Sequence, residues 1–369
     1  MSAPIYVTRP FLPPLEELIP YLEQIWETRM LSNGGPFHQQ LEARLRELLD
    51  VPNISLVTNG MVALEQVIDA AALSGEIITT PYSFVATTHA VRRAQLEPVF
   101  VDVKPDDLNI DPAKVEEAIT ERTSAIVAVH CYGNPCDVHA LEAIAEKHGL
   151  TLIYDAAHAF AVRYKGRGLL SWGDYATLSL HATKALNTFE GGAIVTRDAG
   201  NKKQIERQRN FGIIDEVTIG AVGTNAKMSE IHAAVGLVQL GHYAETRRLR
   251  GEVDRRYREA LAEIPGIEPI AIPAETEPNF SYFPVLVGPD FAVSRDELHE
   301  AMCSRGLNGR RYFYPLLSNL PMYRDYPSAA PERLPVANRA ASQVLCLPIF
   351  PDLAVEDQER ILDVIRSPR

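Results

Sequence analysis

The stretch Ser179-Leu180-His181-Ala182-Thr183-Lys184-Ala185-Leu186-Asn187-Thr188-Phe189-Glu190-Gly191-Gly192-Ala193-Ile194-Val195 decides how the chain is read. The alternation over 175–180 predicts a buried strand that ends in a polar His-Ala-Thr-Lys corner. Gly191-Gly192 then releases the chain into a second strand over 193–196. One lysine is left standing on a stiff, enclosed turn. Two readings of Lys184 are open at this point. Most lysines are solvated surface charges. A lysine whose amine is desolvated is instead kept partly neutral and nucleophilic, as a Schiff-base lysine must be.

Upstream of that corner, strand and helix patterns alternate. A strand over 54–57 runs into a Thr58-Asn59-Gly60 turn and a helix over 61–72; strands over 76–80, 98–103, 124–130 and 151–155 follow, separated by helices over 84–95, 112–120 and 138–148. Such repetition implies a parallel sheet with helices on both faces, and ligands in these sheets sit beyond the carboxyl ends of the strands. Asn59-Gly60, Tyr82 to Phe84, and Asp155 to His158 all follow strand ends, so they can converge on one site. The strand, glycine turn and helix start at Gly60 form an anion site, because free N–H groups and the helix dipole meet there. Residues 11–50 read as an N-terminal arm. Downstream, a long helical region over 228–264 leads to residues 265–278, whose four prolines break helix periodicity. The expected division is an arm and large domain over 1–244 and a small C-terminal αβ domain over 245–369.

With 369 residues the chain is long enough for a large core, and its 46% hydrophobic and 23% charged residues are ordinary for a soluble protein. A net charge of −12 disfavours nucleic acid and anionic membrane as partners and leaves small ligands, phosphorylated ones included. Cys131, Cys136, Cys303 and Cys346 are too few and scattered for a disulfide framework, which fits a reducing cytoplasm. The first 14 residues lack an apolar core behind a basic start, and no later run approaches the roughly 18 apolar residues of a membrane span, so neither export nor insertion is expected.

Asp155-Ala156-Ala157-His158 places an acid and an imidazole at a strand end. Asp155 is either a helix cap or a buried carboxylate that keeps a heteroaromatic nitrogen protonated. With a phosphate-ready turn and an enclosed lysine, the second reading assembles the parts of a pyridoxal phosphate site. Phe84 supplies an aromatic face for such a ring. The competing constellation is a metal site from His130, Cys131, Cys136, Asp155 and His158, but the spacing lacks paired C-x-x-C or H-E-x-x-H signals, so no metal is expected. A cofactor-binding sensor without turnover is a third class. Arg310, Arg311, Tyr312 and Tyr314 form a basic-aromatic segment suited either to a nucleotide diphosphate and sugar ring or to an exposed strand.

These residues together resemble the DegT/StrS-type aminotransferases, which act on nucleotide sugars. The resemblance runs nearly end to end: Gly35-Pro36, Thr58-Asn59-Gly60-Met61-Val62-Ala63-Leu64, Val99-Phe100-Val101-Asp102, Asp155-Ala156-Ala157-His158, Ser179 to Gly192, Gly223 to Met228, and Leu347-Pro348. It implies an α/β, fold type I PLP-dependent transferase, whose large domain has a mostly parallel sheet flanked by helices. It further implies that Lys184 forms the Schiff base with pyridoxal 5'-phosphate and that Asp155 pairs with the pyridine nitrogen. His158 would contact the ring hydroxyl, Phe84 would stack on the ring, and Ser179, Gly60 and Met61 would hold the phosphate. Asn225 would reach the phosphate from the other subunit of a homodimer, so active sites would be shared; Arg311, Tyr312, Tyr314 and His181 are the expected substrate contacts.

Two departures stand out. Met61 occupies a position where a phosphate-binding threonine is common, and Asn225-Ala226-Lys227-Met228 lacks the usual aromatic-arginine pair. Within the family, Val7 to Pro14 and the segments around Lys184 and Glu190 look most like enzymes that make dTDP-4-amino-4,6-dideoxy-D-glucose. The implied reaction moves the amino group of L-glutamate to C4 of dTDP-4-keto-6-deoxy-D-glucose, for glycan synthesis. C3 amination, or a GDP- or UDP-linked keto sugar, is the alternative within the family.

Overall fold

A seven-stranded sheet organises the protein in the computed structural model, which describes residues 3–368. Its spatial order is Asn53–Val57, Gly192–Thr196, Tyr175–Ser179, Thr151–Asp155, Thr123–Val129, Glu76–Thr79 and Glu97–Phe100; only Gly192–Thr196 runs against its neighbours. The expected mostly parallel sheet is therefore present. Both faces are covered, and side chains alternate between the two. Leu56, Ile78, Ile126, Leu152, Leu178 and Val195 enter one core with helices Pro36–Leu48 and Val138–His148. Val57, Ile77, Val127, Ile153, Tyr175 and Ile194 enter the other with helices Gly60–Ala70, Val85–Arg93 and Ala199–Gln208. Burial on both faces is why the strands read as continuous apolar runs.

Register brings the functional strand ends together. Gly192 lies opposite both Val57 and Ser179, and Asp155 lies opposite Val129 and Thr177. The antiparallel strand thus begins at the edge where its neighbours end. The Lys184 corner, the Gly60 turn and the Asp155 loop share that edge as a result.

Helix Glu230–Leu261 passes through position 245 without a break. Ala233, Ala234 and Leu237 from its first half pack in the large core, while Val253, Tyr257 and Leu261 pack in a second one. That second core is built on the antiparallel sheet Ile267–Pro269, Phe283–Val287 and Val344–Leu347, with helices Arg295–Ser304 and Val355–Arg366. The chain start also contributes here, since Ile5–Tyr6 pairs in parallel with Leu307–Asn308. The proline-rich stretch is not mere linker: Thr276–Glu277 extends a small sheet with Arg163–Tyr164 and Arg167–Gly168. Apart from the tight hairpin of Arg163–Tyr164 with Arg167–Gly168, these pairings join segments well separated in sequence, so no local pattern signals them.

A third cluster links the two units. Tyr82, Phe100, Cys131 and Tyr132 pack with Phe313, Leu316, Tyr323 and Val344. This places the 312–313 segment over the carboxyl edge of the large sheet. No described helix is long and apolar enough to cross a membrane.

Candidate active site

A cavity of about 390 Å³ opens at the carboxyl edge, and Lys184, Asp155, His158, Ser179, Gly60, Met61, Phe84, His181 and Tyr312 all line it. Gly60 begins helix Gly60–Ala70 directly after a strand. Asn59 caps that helix, its Oδ1 accepting from Val62 N at 2.9 Å. Among the described residues the first-turn N–H groups of Gly60 and Met61 meet no acceptor, so the helix start offers an anion two backbone donors that need nothing from the Met61 side chain. A Cβ at Gly60 would lie 2.9 Å from Ser179 Cβ, so only glycine lets the helix start approach Ser179 this closely.

Asp155 ends strand Thr151–Asp155 and is buried. Its Oδ2 accepts from Thr87 Oγ1 at 2.8 Å and its Oδ1 from Ala157 N at 3.1 Å. Because the Thr87 hydroxyl proton points to the carboxylate, Ser83 Oγ is left to donate to Thr87 Oγ1, 2.9 Å away. Burial raises the Asp155 carboxyl above its usual range, while Thr87, Ala157 and the Lys184 charge offset part of that rise.

Lys184 is half-buried on the cavity wall, its backbone N–H closing a turn onto His181 O at 2.9 Å. Desolvation lowers its amine to about 8, with Asp155 and Tyr312 opposing that shift. Such an amine is an accessible nucleophile near neutral pH, unlike a solvated surface lysine. Burial, and then the Lys184 charge, hold His158 well below the usual imidazole range. Its Nδ1 accepts from Tyr132 N at 3.3 Å, so the neutral ring carries its proton on Nε2. His158 also stacks on Phe313, with centroids 5.8 Å apart and planes 5° from parallel.

The remaining sequence candidates divide. His181 and Glu190 line the cavity rim, with His181 Nε2 3.6 Å from Glu190 Oε1. Arg311 and Tyr314 do not line it: the Arg311 guanidinium pairs with Asp296 at 2.8 Å and lies over the Tyr314 ring. Arg311 thus lies outside the lining of this cavity, with its charge engaged by Asp296. Asn225 is exposed and lines a different depression, beside Gln66 and Asp69. The competing metal constellation dissolves into packing. His130 Nδ1 accepts from Cys136 N at 3.1 Å and the ring stacks on Tyr154, and no described group of three or more His, Cys, Asp or Glu residues is placed to hold a metal.

Thr87, Tyr282 and Phe313 belong to the cavity or its carboxylate, yet nothing local in the sequence points to them. Tyr282 Oη accepts from Lys184 Nζ at 3.3 Å. Thr87 sits on a helix face that reads simply as small and polar, and the other two arrive from the C-terminal unit.

Comparison with known proteins accords with this geometry. The model of the DegT/DnrJ/EryC1/StrS aminotransferase family matches residues 15–366. The chain is 50% identical over 353 residues to a dTDP-4-amino-4,6-dideoxy-D-glucose transaminase of Escherichia coli, covering 95% of each chain. It is 49% identical over 367 residues to the enzyme of that name from Shigella dysenteriae, covering 100% of both. Among solved structures, DesI in the presence of its TDP-sugar product superposes with a TM-score of 0.94 at 38% identity, over 99% of this chain and 93% of that one. The chain belongs to the DegT/DnrJ/EryC1/StrS aminotransferase family.

Proposed function

We propose that this protein transfers the amino group of L-glutamate to C4 of dTDP-4-keto-6-deoxy-D-glucose, with pyridoxal 5'-phosphate as cofactor, giving dTDP-4-amino-4,6-dideoxy-D-glucose. The observation that carries the chemistry is the enclosed Lys184 amine facing the same cavity as the buried Asp155 carboxylate. The sugar and its nucleotide rest on the half-identity over almost the full chain to two transaminases of that name.

The residues fit the cofactor. A cradle that a Cβ at Gly60 would fill, with a helix start and Ser179, suits a phosphate. Asp155 suits a protonated ring nitrogen, His158 Nε2–H a ring oxygen, and Phe84 a ring face. When bound, pyridoxal phosphate supplies the electron sink that lets an amino acid lose its Cα proton. The protein supplies the rest. Asp155 holds a proton at the ring nitrogen, Thr87 and Ala157 fix both of its oxygens, and Lys184 Nζ carries the proton taken from the donor. Tyr312, Phe313 and Phe84 narrow the cavity and exclude water around that amine.

The active form is a homodimer with shared sites. Asn225 does not reach the Lys184 cavity of its own chain, and its loop exposes Val217, Ile219 and Val222, an apolar group that a second copy would cover.

The test is incubation of the cofactor-loaded protein with glutamate and a panel of dTDP-, GDP- and UDP-linked 3-keto and 4-keto sugars. Products are identified by mass and NMR. The expected product is the C4-aminated dTDP sugar with equatorial nitrogen; turnover confined to 3-keto sugars or to another nucleotide would refute the assignment.

A further inference from the structure

We propose that Tyr282 is a positioning residue of the site, whose hydroxyl holds Lys184 Nζ whenever that amine is free and keeps it aimed into the cavity. Nζ donates to Tyr282 Oη at 3.3 Å and lies 5.8 Å from the centroid of the ring. Tyr282 immediately precedes strand Phe283–Val287, so its backbone belongs to the C-terminal unit while its hydroxyl meets the reactive amine of the large one.

The segment is bolted in place. Asn279 Nδ2 donates to His158 O at 2.8 Å and to Phe160 O at 2.9 Å, and Asn279 Oδ1 accepts from Ser281 N at 3.1 Å and Ser281 Oγ at 2.8 Å. One buried asparagine thereby ties the approach to Tyr282 to the loop that carries Asp155 and His158. The ring itself packs 4.7 Å from His158, 5.9 Å from Tyr132 and 6.0 Å from Tyr312, centroid to centroid. Nζ therefore has a fixed hydroxyl to return to.

A tyrosine suits this position because a hydroxyl both accepts and donates. It accepts from the ammonium form of Lys184 and, after proton loss, turns to donate to the nitrogen lone pair, with no net transfer. Burial holds the phenol far above its usual range, so the hydroxyl keeps its own proton throughout. The titratable groups that face Nζ are Asp155, His158, Tyr312 and Tyr282 itself. Asp155 attracts the charged form at longer range, and among the described residues only Tyr282 hydrogen-bonds it.

The catalytic consequence rests on Lys184 being the cofactor lysine, whereas the hydrogen bond does not, and the experiment separates them. Full-length protein stripped of cofactor is trace-labelled with acetic anhydride across pH 6–10, and acetylation of Lys184 is followed by peptide mapping. The wild-type midpoint is expected near 8. Tyr282→Phe keeps the ring packing and loses the acceptor for the ammonium, so its midpoint should fall by about half a unit or more. Replacement of Tyr282 by 3-fluorotyrosine keeps the shape, weakens the acceptor, and should lower the midpoint by less. In loaded enzyme, Tyr282→Phe should lose about tenfold or more in kcat with glutamate KM within about twofold. A wild-type midpoint in both variants overturns the assignment whatever kcat does. If Lys184 were not the cofactor lysine, the midpoint shift would remain while cofactor trapping on Lys184 failed.

Discussion

Asp155 takes one hydrogen bond at each oxygen, and neither comes from a group that can ionise. Its charge is therefore reserved for whatever enters the cavity. Asp155→Asn should keep some cofactor but lose about 10²-fold or more in kcat, since an amide cannot hold the ring proton; near-normal turnover would reduce Asp155 to a structural cap. Lys184 carries the matching pH signature. Its amine is neutral only above about pH 8, because desolvation disfavours the ammonium. Capture of pyridoxal phosphate, trapped by borohydride and mapped by peptide mass, should rise about tenfold per pH unit up to that value and then level. A rate still climbing through pH 10 would mark a solvated lysine, and a pyridoxyl group on another residue would remove Lys184 from the chemistry.

At the scale of elements, two buried carboxylates cap helices from a distance. Glu230 is buried and accepts from Phe37 N at 2.8 Å and His38 N at 2.9 Å, clasping the start of helix Pro36–Leu48 to the start of its own helix. Asp102 does the same for helix Pro335–Gln343, accepting from Val336 N at 2.9 Å and Ala337 N at 2.8 Å. Gly35 is required because a Cβ there would lie 2.6 Å from Glu230 Cδ. Glu230→Ala should cost about 1–3 kcal/mol in urea unfolding, the penalty of two buried donors left unpaired, while leaving borohydride trapping on Lys184 intact. A loss of trapping with unchanged stability would make Glu230 part of the site instead.

For the whole molecule, the separation of Asn225 from the Lys184 cavity makes a strong genetic test. Inactive Lys184→Ala subunits are mixed with severely impaired Asn225→Ala subunits, and exchange is confirmed. If Asn225 serves the partner's site, each mixed dimer collects both lesions in one site and leaves the other whole, so activity should partly recover. No recovery despite exchange would refute the shared site.

The sequence by itself determined the alternation of strand and helix, because two-sided burial writes apolar runs and caps into local pattern. It also determined the reactive corner: Lys184, Asp155, His158, Gly60, Ser179 and Phe84 follow strand ends, and strand ends of a parallel sheet share one edge. Only the tertiary structure decided what closes that corner. Tyr282 and Phe313 come from beyond the long helix, through pairings of the C-terminal sheet that no local pattern encodes. The same packing paired Arg311 with Asp296 and left it out of the cavity lining, although its neighbours Tyr312 and Phe313 belong to that lining. The physical reason is that periodicity specifies which face of an element is buried, whereas the partner across that face is chosen by packing between distant segments.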